Sequence, residues 1–204
     1  MKKKYLIIGI VLLLLVGVGL FLIFHKEDEE VINEKTDAAK FAEEYTQITD
    51  DNAFVYRTID EIIKIMENGT GVVYLGFPEC PWCQSYVKYL NEVAKEVGIK
   101  EIYYFDILEE RQNNTEDYQK VVKLLGDKLE YDEEGNHRIY VPNVSFHVNG
   151  KLIGNNLETA YDTKGFDNPE DYWTKDEVND LKNTLTKYMT SVKNALNTCT
   201  DCNK

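Results

Sequence analysis

Gly71 to Phe77 reads GVVYLGF, a nearly continuous apolar run rich in β-formers, and two residues later the chain reaches Cys80-Pro81-Trp82-Cys83. A strand with one face in water would alternate apolar and polar residues, so this run predicts a strand covered on both faces. The spacing beyond the motif is helical. Val87, Leu90, Val93, Ala94 and Val97 form one apolar stripe, and Gly98 stops it. A covered strand that delivers two cysteines to the first turn of an amphipathic helix leaves few folds open.

The flanking segments narrow the choice. Asp37 to Gln47 (DAAKFAEEYTQ) predicts an amphipathic helix, lying beside the domain or near a membrane surface, and Phe54 to Tyr56 an edge strand. Thr58 and Glu61 have capping-box spacing, with Ile59, Ile62, Ile63 and Met66 at helical intervals before Gly69. Ile102 to Ile107 is the next strand and Thr115 to Leu125 the next helix, whereas Leu129 to Arg138 is an acidic, turn-prone insert. Asn143 to Gly154 reads as two strands about Asn149-Gly150, a dipeptide suited to a type I′ hairpin turn. Asn155 to Tyr172 looks irregular. Thr174 and Glu177 then open a long helix to about Asn197, with Val178, Leu181, Leu185, Tyr188 and Val192 inward. Strands alternating with helices demand parallel pairing through crossovers, and the hairpin adds an antiparallel edge, so the class is α/β with a central mixed sheet.

The motif itself carries chemistry. A cysteine at a helix start faces unpaired backbone N–H groups and roughly half a positive charge, so Cys80 is expected to ionise readily. Pro81 fits the first helical position, where no N–H is needed. Cys83 lies nearly one turn on, within reach of Cys80 and more buried. Cys80 is therefore the attacking sulfur and Cys83 the resolving one. Trp82 brings no positive charge, which points to a less oxidising couple than a histidine there would give; it is equally a candidate contact for unfolded substrate. Cys-Pro-x-Cys also occurs in zinc knuckles, with Cys199 and Cys202 as the other half, yet those sit on turn-rich hairpins rather than strand–helix junctions. A purely structural Cys80–Cys83 disulfide closes too small a loop to constrain much unfolded chain.

Tyr5 to Phe24 holds 20 residues without a charge, preceded by Lys2, Lys3 and Lys4 and followed by Glu27, Asp28, Glu29 and Glu30. As a helix it would be about 30 Å long, enough to span a bilayer, and the charge asymmetry places the N-terminus in the cytosol and the rest outside. The run ends Leu22-Ile23-Phe24-His25 without the small residues of a signal-peptidase site, which favours an uncleaved signal anchor. Residues 1–24 are then cytosolic stub and transmembrane anchor, 25–53 tether and leading helix, 54–198 the main domain and 199–204 a tail. All four cysteines fall on the outer side, where disulfides persist. The net charge of −13 becomes −16 once the three leading lysines are set aside, so phosphate backbones are repelled and nucleic acid is an unsuitable partner.

Taken together, Phe54 to Gly154 and the last helix resemble the thioredoxin family. GVVYLGFPECPWC, the helix from Pro81, and VPNVSFHVNGKLIG carry the resemblance. It implies a thioredoxin fold, a cis Val141–Pro142 bond facing the cysteines, and a Val141 backbone that offers strand-like hydrogen bonds to a bound peptide. More narrowly, the layout and Phe77-Pro78-Glu79-Cys80 are similar to the bacteriocin transport accessory proteins of Gram-positive bacteria, which implies a bacterial plasma membrane. One departure bears on mechanism. Thioredoxins carry a buried acid six residues before the first cysteine, where this chain has Tyr74; efficient reductase cycling then depends on Tyr74, Glu79 or water.

The expected activity is thiol–disulfide exchange with secreted or membrane proteins, in either direction, with no cofactor beyond the Cys80–Cys83 pair. A non-catalytic peptide-binding module assisting export or assembly is the alternative, and a zinc-bound structural domain the next. Cys199 and Cys202 read either as a secondary redox pair passing electrons to Cys80–Cys83 or as a local disulfide clip. His25, His137 and His147 share no metal-ligand spacing, so no metal site is expected.

Overall fold

The computed structural model describes residues 35–198, which form a five-stranded mixed sheet with helices on both faces. The anchor, the first part of the tether, and the tail with Cys199 and Cys202 lie outside the described residues. Among the described residues no helix is long and apolar enough to cross a membrane.

The elements are α1 (Asp37–Glu44), β1 (Phe54–Tyr56), α2 (Ile59–Asn68), β2 (Gly71–Gly76), α3 (Pro81–Val97), β3 (Ile102–Asp106), α4 (Leu108–Asn113), α5 (Glu116–Leu125), β4 (Glu130–Tyr131), β5 (His137–Arg138), β6 (Asn143–Val148), β7 (Lys151–Leu157), α6 (Ala160–Lys164), α7 (Pro169–Tyr172) and α8 (Lys175–Thr198). The sheet order is β1-β3-β2-β6-β7, with β1, β3 and β2 parallel and β6 and β7 antiparallel. Strand β2 is buried at all six positions, as its unbroken apolar run requires. One face packs on α1, α3 and α8 through Phe41, Leu90, Leu185 and Met189. The other packs on α2 and α5 through Ile62, Met66, Tyr118 and Val121.

Local signals account for most boundaries. Thr58 and Glu61 complete the capping box of α2, their side chains each bonding the other's backbone N–H. Asn149 and Gly150 both adopt positive φ, 49° and 72°, as a type I′ turn needs. A side chain at Gly150 would also collide with the Glu67 carbonyl.

Three differences from the sequence reading have physical causes. First, α4 is an extra helix between β3 and α5; at six residues it is too short to show a period. Second, β7 runs past Gly154 to Leu157, because Asn155, Asn156 and Leu157 pair with Ser145, Val144 and Asn143. Pairing across the sheet outweighs the poor strand propensity of asparagine. Third, the acidic insert contains a ribbon, β4 against β5, with the Asp132 carboxylate accepting from the Glu134 and Asn136 N–H groups across its turn. The leading helix proves part of the core: Phe41 stacks on Phe54 at 3.9 Å and on Tyr45 at 4.2 Å, and the compact unit begins at Lys35.

A row of polar side chains lies inside. Asn143, Ser145 and His147 are buried and alternate with Val144 and Phe146, so they share the face opposite α3. His147 Nε2 lies 3.0 Å from Ser145 Oγ, while its Nδ1 has no hydrogen-bond partner among the described residues. Burial holds its pKa down, to about 4 from 6.5. The unfolded chain therefore takes up a proton near pH 6.5 and the folded chain only near 4. Stability is complete above pH 6.5 and falls as pH drops toward 4, by roughly 3 kcal/mol. Denaturant midpoints measured from pH 7.5 to 4 should show this loss, and His147→Phe should remove that part of it.

Candidate active site

Strand β2 ends at Gly76 and the chain turns through Phe77-Pro78-Glu79 into α3. Cys80 is the N-cap of that helix: its backbone is extended (φ −81°, ψ 115°), and its sulfur accepts from the Cys83 N–H at 3.2 Å. Its own N–H donates to the Phe77 carbonyl at 3.2 Å, and Pro81 takes the first helical position. The positive end of a 17-residue helix is thus fixed on one sulfur.

The two thiols differ sharply. Cys80 is 8% exposed at the floor of a cleft of about 410 Å³, whereas Cys83 is 0% exposed among Tyr74, Tyr86 and Leu90. The Cys83 side chain, the N–H groups of Cys83 and Trp82, and the charge of Arg111 hold the Cys80 pKa below the usual thiol value, against the opposing effect of burial. Burial, and then Cys80 beside it, push the Cys83 pKa well up. The structure describes both as free thiols.

The Val141–Pro142 peptide is cis and closes the cleft opposite α3. The Cys80 thiol donates to the Val141 carbonyl across 4.0 Å, a long contact. The Pro142 carbonyl accepts from Glu158 N–H at 3.0 Å, tying this loop to the end of β7. Trp82 packs on Tyr172 at 5.5 Å and is only 7% exposed, so most of its ring belongs to the core. Cys80, Pro81, Trp82 and Val141 all line the cleft, with Cys83 and Pro142 directly behind it.

Tyr74 lies beneath the cysteines, fully buried; its hydroxyl makes no hydrogen bond of full geometry among the described residues, and the polar group it faces is the Cys83 thiol. A Cβ on Gly76 would come within 2.6 Å of that hydroxyl, so the absent side chain at 76 makes the room for the phenol. Burial, then the charge of Cys83, push the Tyr74 pKa well above 10. A phenol that stays neutral cannot serve as a proton-accepting base beside Cys83.

Several contributors were not singled out from the sequence. Gln84 pins the start of α3, donating to the Glu44 and Pro78 carbonyls at 2.7 and 2.9 Å and accepting from Thr46 N–H at 3.0 Å. Trp173 donates to Ser85 Oγ at 3.0 Å. Arg111 and Arg138 line the cleft, as do Glu158, Asp162 and Asp167, together with Glu79, which the sequence reading names. A signal for the first pair existed: the chain has only three arginines, and its other fixed positive charges are lysines.

The second cysteine pair, Cys199 and Cys202, lies outside the described residues. Helices α8 and α3 run side by side in the same direction, with Trp173 at Ser85, Lys182 at Glu92 and Lys193 at the Val97 carbonyl.

Compared with known families the chain matches no family model, and the comparison with curated proteins finds no match.

Proposed function

We propose that this protein is a thiol–disulfide oxidoreductase with a thioredoxin fold, tethered through residues 5–24 to the outer face of a bacterial plasma membrane and acting on secreted or membrane proteins. The strand order, the helices on both faces and the cis bond before Pro142 support the fold. The observation that carries the activity is the asymmetry of the pair: one sulfur capped onto a helix N-terminus beside a cleft, the other sealed behind it.

Exchange then runs in two steps. The Cys80 thiolate attacks a partner disulfide in the cleft; that S–S bond breaks, one partner sulfur leaves with the electron pair, and the other is joined to Cys80 as a mixed disulfide, with the Val141 backbone edge alongside to align an extended peptide. Cys83 next attacks Cys80, the Cys80–partner bond breaks, and the electron pair leaves on the partner's sulfur. The run in the opposite direction uses the same bonds. The peptide-binding alternative draws support from Tyr74, which removes the usual proton acceptor.

The test is an exchange assay on the purified protein, following reduction of insulin disulfides and oxidation of a dithiol peptide. Turnover above the uncatalysed rate in at least one direction is expected. No turnover in either, with the pair open to alkylation, would leave peptide binding as the function.

A further inference from the structure

We infer that Arg111 sets the direction of exchange: it favours the reduced pair, so the protein draws electrons from its partners and leaves them disulfide-bonded. The inference rests on the proposed function and goes beyond it, because the Cys-Pro-Trp-Cys motif is compatible with either direction.

Arg111 sits on α4 and is clamped to both segments that hold Cys80. Its Nη1 donates to the Ile139 carbonyl at 3.3 Å, two residues before Val141, whose carbonyl faces the Cys80 sulfur. Its guanidinium lies over the Phe77 ring, Cζ 5.0 Å from the centroid, and Phe77 accepts the Cys80 N–H. The same side chain lines the cleft whose floor is Cys80. Among the described residues no carboxylate lies within 4.0 Å of it, so its charge is not cancelled in an ion pair. Glu79, Glu158, Asp162 and Asp167 share the cleft and oppose it, and Arg138 adds a second cation; Arg111 lowers the Cys80 pKa in the same sense as, and after, the Cys83 side chain and the Cys83 and Trp82 N–H groups. A guanidinium stays charged throughout the physiological range.

The direction follows from which state that charge favours. A partner thiolate attacks Cys80 of the oxidised pair; the Cys80–Cys83 bond breaks, and the electron pair goes to the Cys83 sulfur, which takes up a proton. The partner's second thiolate then attacks the partner sulfur of the mixed disulfide, and Cys80 leaves as a thiolate in the cleft that Arg111 also lines. Two electrons have passed to the pair, and the partner has gained a disulfide. A cation beside the departing thiolate stabilises the reduced protein, and a stabilised reduced form is what makes such a couple oxidising. Trp82 adds no charge, so the motif does not supply this effect. It comes from outside the motif.

Arg111 acts through Cys80 and is a positioning residue, so its charge must be separated from its clamp. Arg111→Gln keeps a donor for the Ile139 carbonyl without the charge; Arg111→Lys keeps the charge. The purified full chain and both variants are equilibrated with glutathione redox buffers, and the pH profile of Cys80 alkylation is recorded. Arg111→Gln should shift the equilibrium about tenfold toward the oxidised pair, about 30 mV, and move the Cys80 profile to higher pH. Arg111→Lys should restore most of both. An unchanged constant and profile in Arg111→Gln would overturn the inference, as would a shift that lysine fails to reverse. Wild-type protein that forms no exchangeable Cys80–Cys83 disulfide would instead remove the proposed function, and this inference with it.

Discussion

Cys80→Ser should abolish exchange in both assay directions, to the uncatalysed rate, while the protein stays folded. A serine hydroxyl can accept from the Cys83 N–H as the sulfur does, so the helix cap survives. It cannot form or break a sulfur–sulfur bond, and Cys83, buried and held protonated, cannot take over the attack. Cys83→Ser should behave differently. Attack by Cys80 remains, slowed because its largest stabilising partner is the Cys83 side chain. The mixed disulfide then has no resolving sulfur, so it accumulates as an adduct visible on a non-reducing gel and lost on treatment with dithiothreitol. Peptide capture without chemistry would survive both substitutions, which separates the two readings of the cleft.

Phe41→Ala should cost roughly 3–5 kcal/mol in a denaturant titration, the range for a phenylalanine removed from a closed core. The ring is wholly buried, stacked on Phe54 and Tyr45 and edge-on to Tyr104 at 4.9 Å. Its aromatic neighbours are rigid rings that cannot collapse into the hole. The consequence reaches the candidate site: Gln84, in the first turn of α3, donates to the carbonyl of Glu44, the last residue of α1. Loss of α1 packing should therefore raise the reactivity of Cys83 to alkylating agents as that helix loosens. A cost below about 1 kcal/mol would mean that the leading helix is an ornament of the tether rather than a layer of the domain.

The site was legible where local chemistry dictates it. An unbroken apolar run means a strand with two covered faces, proline after cysteine marks a helix start, and Asn149-Gly150 marks the hairpin; all three hold. Tertiary facts were less visible. Arg111 lies on a helix too short to show a period, and it lines the same cleft as Cys80 only because β3 and β2 are neighbours. The buried face of β6 reads Asn143, Ser145, His147, polar residues that a pattern argument would send to solvent. The length of β7 depends on partners in β6 rather than on its own asparagines. The cis bond before Pro142 was implied by the family resemblance alone.

The alkylation rate of the reduced protein, followed with iodoacetamide from pH 4 to 10 and mapped by mass spectrometry, bears most directly on the chemistry of the pair. Of the two cysteines of the motif, label should enter at Cys80 and not at Cys83, with a Cys80 midpoint clearly below the ordinary thiol value of about 8.5. A midpoint at or above that value, or a Cys80 that takes no label until the protein unfolds, would contradict a helix-stabilised thiolate open to partner proteins.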